Sequence, residues 1–144
     1  MSHAQALCHV EKLENYPTQQ GAIRRCIWGF HLIVELWEAP FDLLADASKV
    51  LEGLKASLNG NGKKVNGVSY QFQPFGASAQ VNSGFANVYI HTWPENGYAA
   101  IDIMASSKEE AYQILERLKK AFSPKHLYVI EVPRGITTEE WGET

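Results

Sequence analysis

The stretch Val88-Tyr89-Ile90-His91-Thr92-Trp93-Pro94-Glu95-Asn96-Gly97-Tyr98 decides how the chain folds. Val88-Tyr89-Ile90 is β-branched and aromatic, and a second strand runs from Tyr98 to Met104. Between them Pro94 stiffens a turn and Gly97 allows a positive φ, so the segment reads as an antiparallel hairpin. His91, Trp93 and Glu95 place an imidazole, an indole and a carboxylate on that one turn. As plain scaffold, the Trp would fill core and the His and Glu would be solvated. As a site, the three could stack a ring and move a proton.

Working outward from the hairpin, Cys26 to Leu36 is a strand of strong β propensity. Alternation puts Phe30, Leu32, Val34 and Leu36 on one face, and His31, Ile33 and Glu35 on the other. His31 and Glu35 thus point the same way, either lining a half-buried face or pairing there. Pro40-Phe41-Asp42 opens a helix in which Leu44, Ala47, Leu51, Leu54 and Leu58 form one apolar stripe. Asn59-Gly60-Asn61-Gly62 ends it. A β-prone segment around Val68 to Phe72 gives way to Pro74–Gly84, a run of small residues that reads as a surface loop or as backbone closely approached by something else. After the hairpin, Ser107 with Glu110 is a capping box for a helix burying Ala111, Ile114, Leu115, Leu118 and Phe122. That helix stops before Pro124, and a last strand runs from His126 to Val132.

The order β-α-β-β-β-α-β, with one apolar stripe on each helix, predicts an α+β two-layer sandwich: an antiparallel sheet with two helices on one face. The other face needs cover, which a second copy packing sheet to sheet would supply. Residues 1–22 read as an arm, 23–135 as a single domain, and 136–144 as a mobile acidic tail.

Composition narrows the class further. The net charge of −3, with no basic cluster beyond a pair, argues against nucleic acid as a partner. The longest mostly apolar run, Ile27 to Leu36, is about half of what a bilayer span needs. The first residues carry no signal-peptide core, and Cys8 and Cys26 have no metal-type spacing, so a cytoplasmic protein without a metal is expected.

At this level of detail the chain resembles the bacterial and archaeal S-adenosylmethionine decarboxylases, the pyruvoyl enzymes of spermidine synthesis. Gly29-Phe30-His31-Leu32-Ile33-Val34-Glu35-Leu36 is similar to the family's first strand, and Phe72 to Ser78 resembles its Phe-x-Pro-x-Gly-x-Ser segment. Ile90 to Asp102 is similar nearly residue for residue to its central signature, and the match runs over residues 27–135. The resemblance implies a dimer packed sheet to sheet with the ligand site at the subunit interface. It also implies self-cleavage, in which a serine attacks the preceding carbonyl and its remnant becomes the pyruvoyl electron sink for decarboxylation.

Two parts of that chemistry are missing. The family's Glu-Ser-His-x-Ser falls here on Phe85, Ala86, Asn87, Val88 and Tyr89, so Ala86 stands where the serine is converted. The family's proton-donating cysteine falls on Ser106, a far poorer acid. What survives shapes a ligand: Phe72 and Trp93 could stack a purine or pack as ordinary core, Glu95 could hydrogen-bond ribose hydroxyls, and the resemblance implies processing roles for Ser78 and His91. The expectation is a homologue that binds S-adenosylmethionine or a related adenosyl ligand, at least as a homodimer, without a pyruvoyl group or other cofactor. Such a protein would sense the ligand, regulate an active decarboxylase partner, or cleave the ligand with His91 or Glu95 as base. The alternative is an active decarboxylase using a shifted serine, Ser83, which a continuous strand would put on the face opposite to Ala86.

Overall fold

The computed structural model describes residues 7–11, 23–58, 64–135 and 137–140. Its body is a six-stranded antiparallel sheet, built from β3 (Gly29–Trp37), β4 (Asn66–Gln71), β5 (Ala77–Ser83), β6 (Ala86–Trp93), β7 (Tyr98–Ala105) and β8 (His126–Arg134). Across the sheet the strands run β4-β5-β6-β7-β3-β8. Helices α1 (Phe41–Leu44), α2 (Ala47–Leu58) and α3 (Lys108–Phe122) supply the second layer, with α2 packed on β4 and β5 and α3 on β3 and β7.

Alternation explains the core. Leu32, Val34 and Leu36 of β3, Val88 and Ile90 of β6, and Ile101 and Ile103 of β7 all turn toward the helices. They meet Val50 and Leu54 of α2 and Ile114, Leu118 and Phe122 of α3, all essentially without solvent contact. Each such side chain contributes about 1.5–3 kcal/mol by leaving water. The expected two-layer α+β sandwich is thus the observed one.

The strand count differs. Ala77–Ser83, inside the small-residue run that reads as a surface loop or as closely approached backbone, is the interior strand β5, with Ala77, Ala79 and Val81 buried under α2. Its alanines carry little β propensity, and burial between β4 and β6 overrides that. The single helix expected from Pro40 to Leu58 is also broken in two at Ala45-Asp46. Asp46 Oδ1 accepts from the backbone N–H of Ser48 (2.8 Å) and Lys49 (3.3 Å), so α2 has its own N-cap. α3 starts on Ser107, whose hydroxyl oxygen accepts from the Glu110 N–H (3.1 Å). It stops at Ser123, in the left-handed region one residue before Pro124.

β2 (Ile23–Ile27) precedes β3, and β1 (Leu7–Glu11) and β9 (Thr137–Glu140) flank β2 in a three-stranded sheet. The β2–β9 pairing, Cys26 with Thr137, continues the β3–β8 register of Gly29 with Arg134. So Leu7–Glu11, in the stretch read as an arm, forms a strand, and part of the stretch expected to be a mobile tail is β9. The Asn59–Gly62 helix stop lies outside the described residues.

Candidate functional site

The face of the sheet turned away from the helices carries every ring the sequence singled out. Phe72 follows β4 directly, and its N–H donates to the Gly76 carbonyl (2.8 Å), closing a tight loop in which Gly76 has φ 110°. Gln71 fixes that loop to the helices. Its amide shares its hydrogens among the carbonyls of Ala45 (2.9 Å), Phe72 (3.0 Å) and Gly76 (2.9 Å), and its Oε1 accepts from Ala47 N–H (2.7 Å). The Gln73–Pro74 peptide in the loop is cis.

Thr92 does the same work for β6. Buried between His91 and Trp93 in sequence, it donates to the Leu44 carbonyl (2.8 Å) and accepts from Ala77 N–H (2.8 Å). With Thr92 anchored inward, alternation sends His91 and Trp93 outward. After Trp93 the chain makes one 3₁₀ turn, Pro94–Asn96, closed by Gly97 at φ 61°. A Cβ at Gly97 would lie 3.2 Å from the Ala39 carbonyl, so glycine is needed there for space as well as for φ.

The result is a row of rings crossing the open face. Phe72 and His91 have centroids 5.0 Å apart, His91 and Trp93 4.3 Å, Trp93 and Tyr98 5.1 Å, and Tyr98 and Trp37 4.4 Å. Tyr70 extends it edge-on from Phe72 at 4.9 Å. Trp93 remains 37% exposed, enough for a ligand ring to reach it. Glu95 stands exposed on the 3₁₀ turn, two residues past Trp93. Phe72, His91 and Trp93 are thus neighbours within one chain, and Ser78 sits directly across from His91 in the β5–β6 register.

Ala86 and Ser106 are elsewhere. Ala86 begins β6 after the two-residue turn Gly84-Phe85 and is buried on the helix side. Five residues of strand separate it from His91, about 17 Å. Ser106, at the same end of the sheet, donates its hydroxyl to Glu110 Oε2 (2.7 Å) rather than pointing at the rings. Ser83 corrects a sequence-based expectation. It is the cross-strand partner of Ala86, hence on the same face and not the opposite one. The hairpin turn between them, unseen in the sequence, reverses the parity argument.

Three polar pairs on the open face escaped the sequence reading. His31 Nε2 lies 2.9 Å from Asp102 Oδ1. Tyr98 donates to Glu35, and burial, reinforced by that carboxylate, pushes the phenol up to about 12. Ser78 Oγ and the Tyr89 hydroxyl are 3.1 Å apart. His31 and Glu35 do share a face as expected, but each pairs with β7 instead of with the other. The register β3–β7 was the missing information, since Asp102 and Tyr98 fall on that face by simple alternation.

Among the described residues no cluster of three or more His, Cys, Asp or Glu is placed to hold a metal ion. No described helix is long and apolar enough to cross a membrane.

The S-adenosylmethionine decarboxylase family model matches residues 30–135. The S-adenosylmethionine decarboxylase proenzyme of Carboxydothermus hydrogenoformans is 34% identical over 118 residues, covering 81% of this chain and 93% of that protein. The proenzyme of Pyrococcus furiosus is 32% identical over 114 residues, 78% of this chain and 82% of its own. The crystal structure of the adenosylmethionine decarboxylase from Aquifex aeolicus superposes with a TM-score of 0.72 at 27% identity, covering 81% of this chain and 98% of that one. With the family's fold and its His-Thr-Trp-Pro-Glu turn both in place, the chain belongs to the S-adenosylmethionine decarboxylase family.

Proposed function

We propose that this chain is a non-processing member of its family that binds an adenosyl ligand between two copies of itself. The observation that carries the reading is Ala86 at the start of β6. A pyruvoyl group made from the chain needs a serine oxygen to attack the preceding carbonyl, and a methyl group has none. Phe85, Asn87 and Tyr89 depart from the family pattern around it, and the Ser106 hydroxyl is engaged by Glu110. The residues present do not fit the family's prosthetic group.

The ligand end, by contrast, is intact. Phe72, His91 and Trp93 offer aromatic faces to a purine, Glu95 offers a carboxylate to ribose hydroxyls, and the indole suits a sulfonium cation. The open face also leaves Val68 (69%), Tyr70 (63%), Tyr128 (64%) and Ile130 (58%) exposed, which a sheet facing water does not normally carry. A second copy packed on that face about a two-fold axis would set its own open face over the rings of the first. Such an isologous contact makes the pocket composite. The protein then works as a sensor, as a regulator of an active decarboxylase partner, or as an enzyme cleaving the ligand without a pyruvoyl group, with His91 or Glu95 as base.

Pairing of Ser83 with Ala86 favours one second reading, an active decarboxylase of spermidine synthesis that cleaves at Ser83. Intact mass and calorimetry on one sample separate the readings. A single species near 16.1 kDa that binds an adenosyl ligand is expected. Two fragments meeting at Asn82-Ser83 would establish the second reading, and an uncut chain blind to every adenosyl ligand would leave a dimer with a dead site.

A further inference from the structure

Tyr89 stands on the open face two residues before His91, with Gln80 and Asp102 as its cross-strand neighbours. Its hydroxyl does not rest over Gln80. It reaches Ser78 Oγ at 3.1 Å, and Ser78 is the residue opposite His91. The phenol therefore runs diagonally toward the ring row and covers the strip of sheet beside His91 on the Ala86 side. At 40% exposure the ring remains partly open to the space above the sheet.

We infer that Tyr89 restricts the site to adenosine derivatives with a short uncharged 5′ substituent and shuts out the amino-acid arm of S-adenosylmethionine. The inference rests on the adenosyl-site reading and names its ligand class. With a purine on Phe72 and Trp93, a 5′ substituent that runs along β6 past His91 meets Tyr89. Facing sheets lie about 10 Å apart, so a tyrosine ring there takes volume that a small side chain would leave free. Chemistry points the same way as volume. An α-amino-acid arm carries a carboxylate and an ammonium that must each find a partner once out of water. The neighbours this chain supplies around Tyr89 are Gln80, Asn87 and Asp102, with no lysine or arginine among them, and Asp102 is already paired with His31. Ser78, the remaining small polar group, is occupied by Tyr89 itself. A neutral thioether nucleoside makes none of these demands.

Calorimetry on the full chain tests this with methylthioadenosine and S-adenosylmethionine side by side. The wild type should favour methylthioadenosine by about tenfold or more, the scale on which a pocket discriminates an added group. Tyr89→Ser should abolish the preference, chiefly by tightening S-adenosylmethionine, whereas Tyr89→Phe, which keeps the ring and loses only the hydroxyl, should retain it. Equal affinities in the wild type, or a preference that Tyr89→Ser leaves unchanged in a folded protein, would overturn the inference while leaving the adenosyl site standing. Should Tyr89→Ser not fold, loss of the preference in Tyr89→Phe would overturn the part assigned to the ring. Binding of neither ligand to the wild type or to Tyr89→Ser would instead overturn the adenosyl-site reading beneath it.

Discussion

Ala86 and His91 lie five residues apart on β6 and on opposite faces of the sheet, Ala86 in the core and His91 among the rings. The family's cleavage position and its processing residues thus do not meet within one chain. If the proposed site draws on both ends of β6, a second copy has to supply one of them.

Assembly is the first expectation. The protein should be at least a dimer at micromolar concentration, and Ile130→Lys, which sets a charge on the exposed middle of β8, should shift it toward monomer. Light scattering reads both. A monomeric wild type would remove the composite pocket.

Ligand affinity should follow Trp93. Trp93→Ala should weaken an adenosyl ligand by roughly 1–3 kcal/mol, the usual worth of one base–aromatic stack. The side chain is part exposed, so the fold should survive, as circular dichroism can verify. Unchanged affinity would return Trp93 to a packing role.

Thr92 should matter for stability rather than for contact with ligand. Thr92→Val keeps the shape but strips the Leu44 carbonyl and the Ala77 N–H of their buried partner. The cost should be about 1–3 kcal/mol in urea unfolding. A neutral result would mean that Thr92 is not what pins β6 to α1.

How much of this was written in the sequence can be judged residue by residue. β3 was legible because Phe30, Leu32, Val34 and Leu36 alternate strictly with half-buried partners. The start of α3 was legible because Ser107 and Glu110 keep their spacing. β5 was not, since Ala77, Ser78 and Ala79 have no intrinsic preference for a strand and become one only when β4 and β6 close around them. The site's rings were found through the motif, yet their mutual stacking and the Ser78–Tyr89 contact depend on the β5–β6 register. The two-residue turn at Gly84-Phe85 and the Thr92–Ala77 hydrogen bond hold that register at its two ends.

The Tyr98–Glu35 pair predicts a pH signature. An unfolded tyrosine loses its proton near 10, whereas Tyr98 keeps its proton until about 12. Between those values the unfolded chain binds fewer protons than the folded one, so stability falls as pH rises. The contribution is fully present below about pH 10 and gone above about pH 12. Beside Tyr112, which its hydrogen bond to Glu131 also raises, phenolate absorbance should show Tyr98 as a late-titrating group. In Glu35→Gln that group should titrate earlier but still above its ordinary value, because burial is the larger cause. No shift in Glu35→Gln would mean that the carboxylate plays no part.

The last expectation concerns the missing serine. Ala86→Ser supplies a hydroxyl next to the Phe85 carbonyl, and Ser78 and His91 survive to assist, though about 17 Å away within one chain. Nucleophile position and a nearby base are the main demands of an acyl shift, so slow cleavage between residues 85 and 86 is expected over days at neutral pH. If the site is composite, the assisting His91 comes from the partner. A chain carrying both Ala86→Ser and His91→Ala should stay whole as a homodimer, yet be cut when paired with wild-type chains, whose own Ala86 keeps them intact. Mass spectrometry distinguishes the two chains directly. Cleavage of the double variant by itself would show that His91 is dispensable, and no cleavage of Ala86→Ser in any pairing would show that Ala86 does not occupy the family's nucleophile position. Decarboxylation asks for more, because Ser106 is bound to Glu110 and is a poor proton donor. Activity should therefore appear only when Ser106→Cys is added to Ala86→Ser.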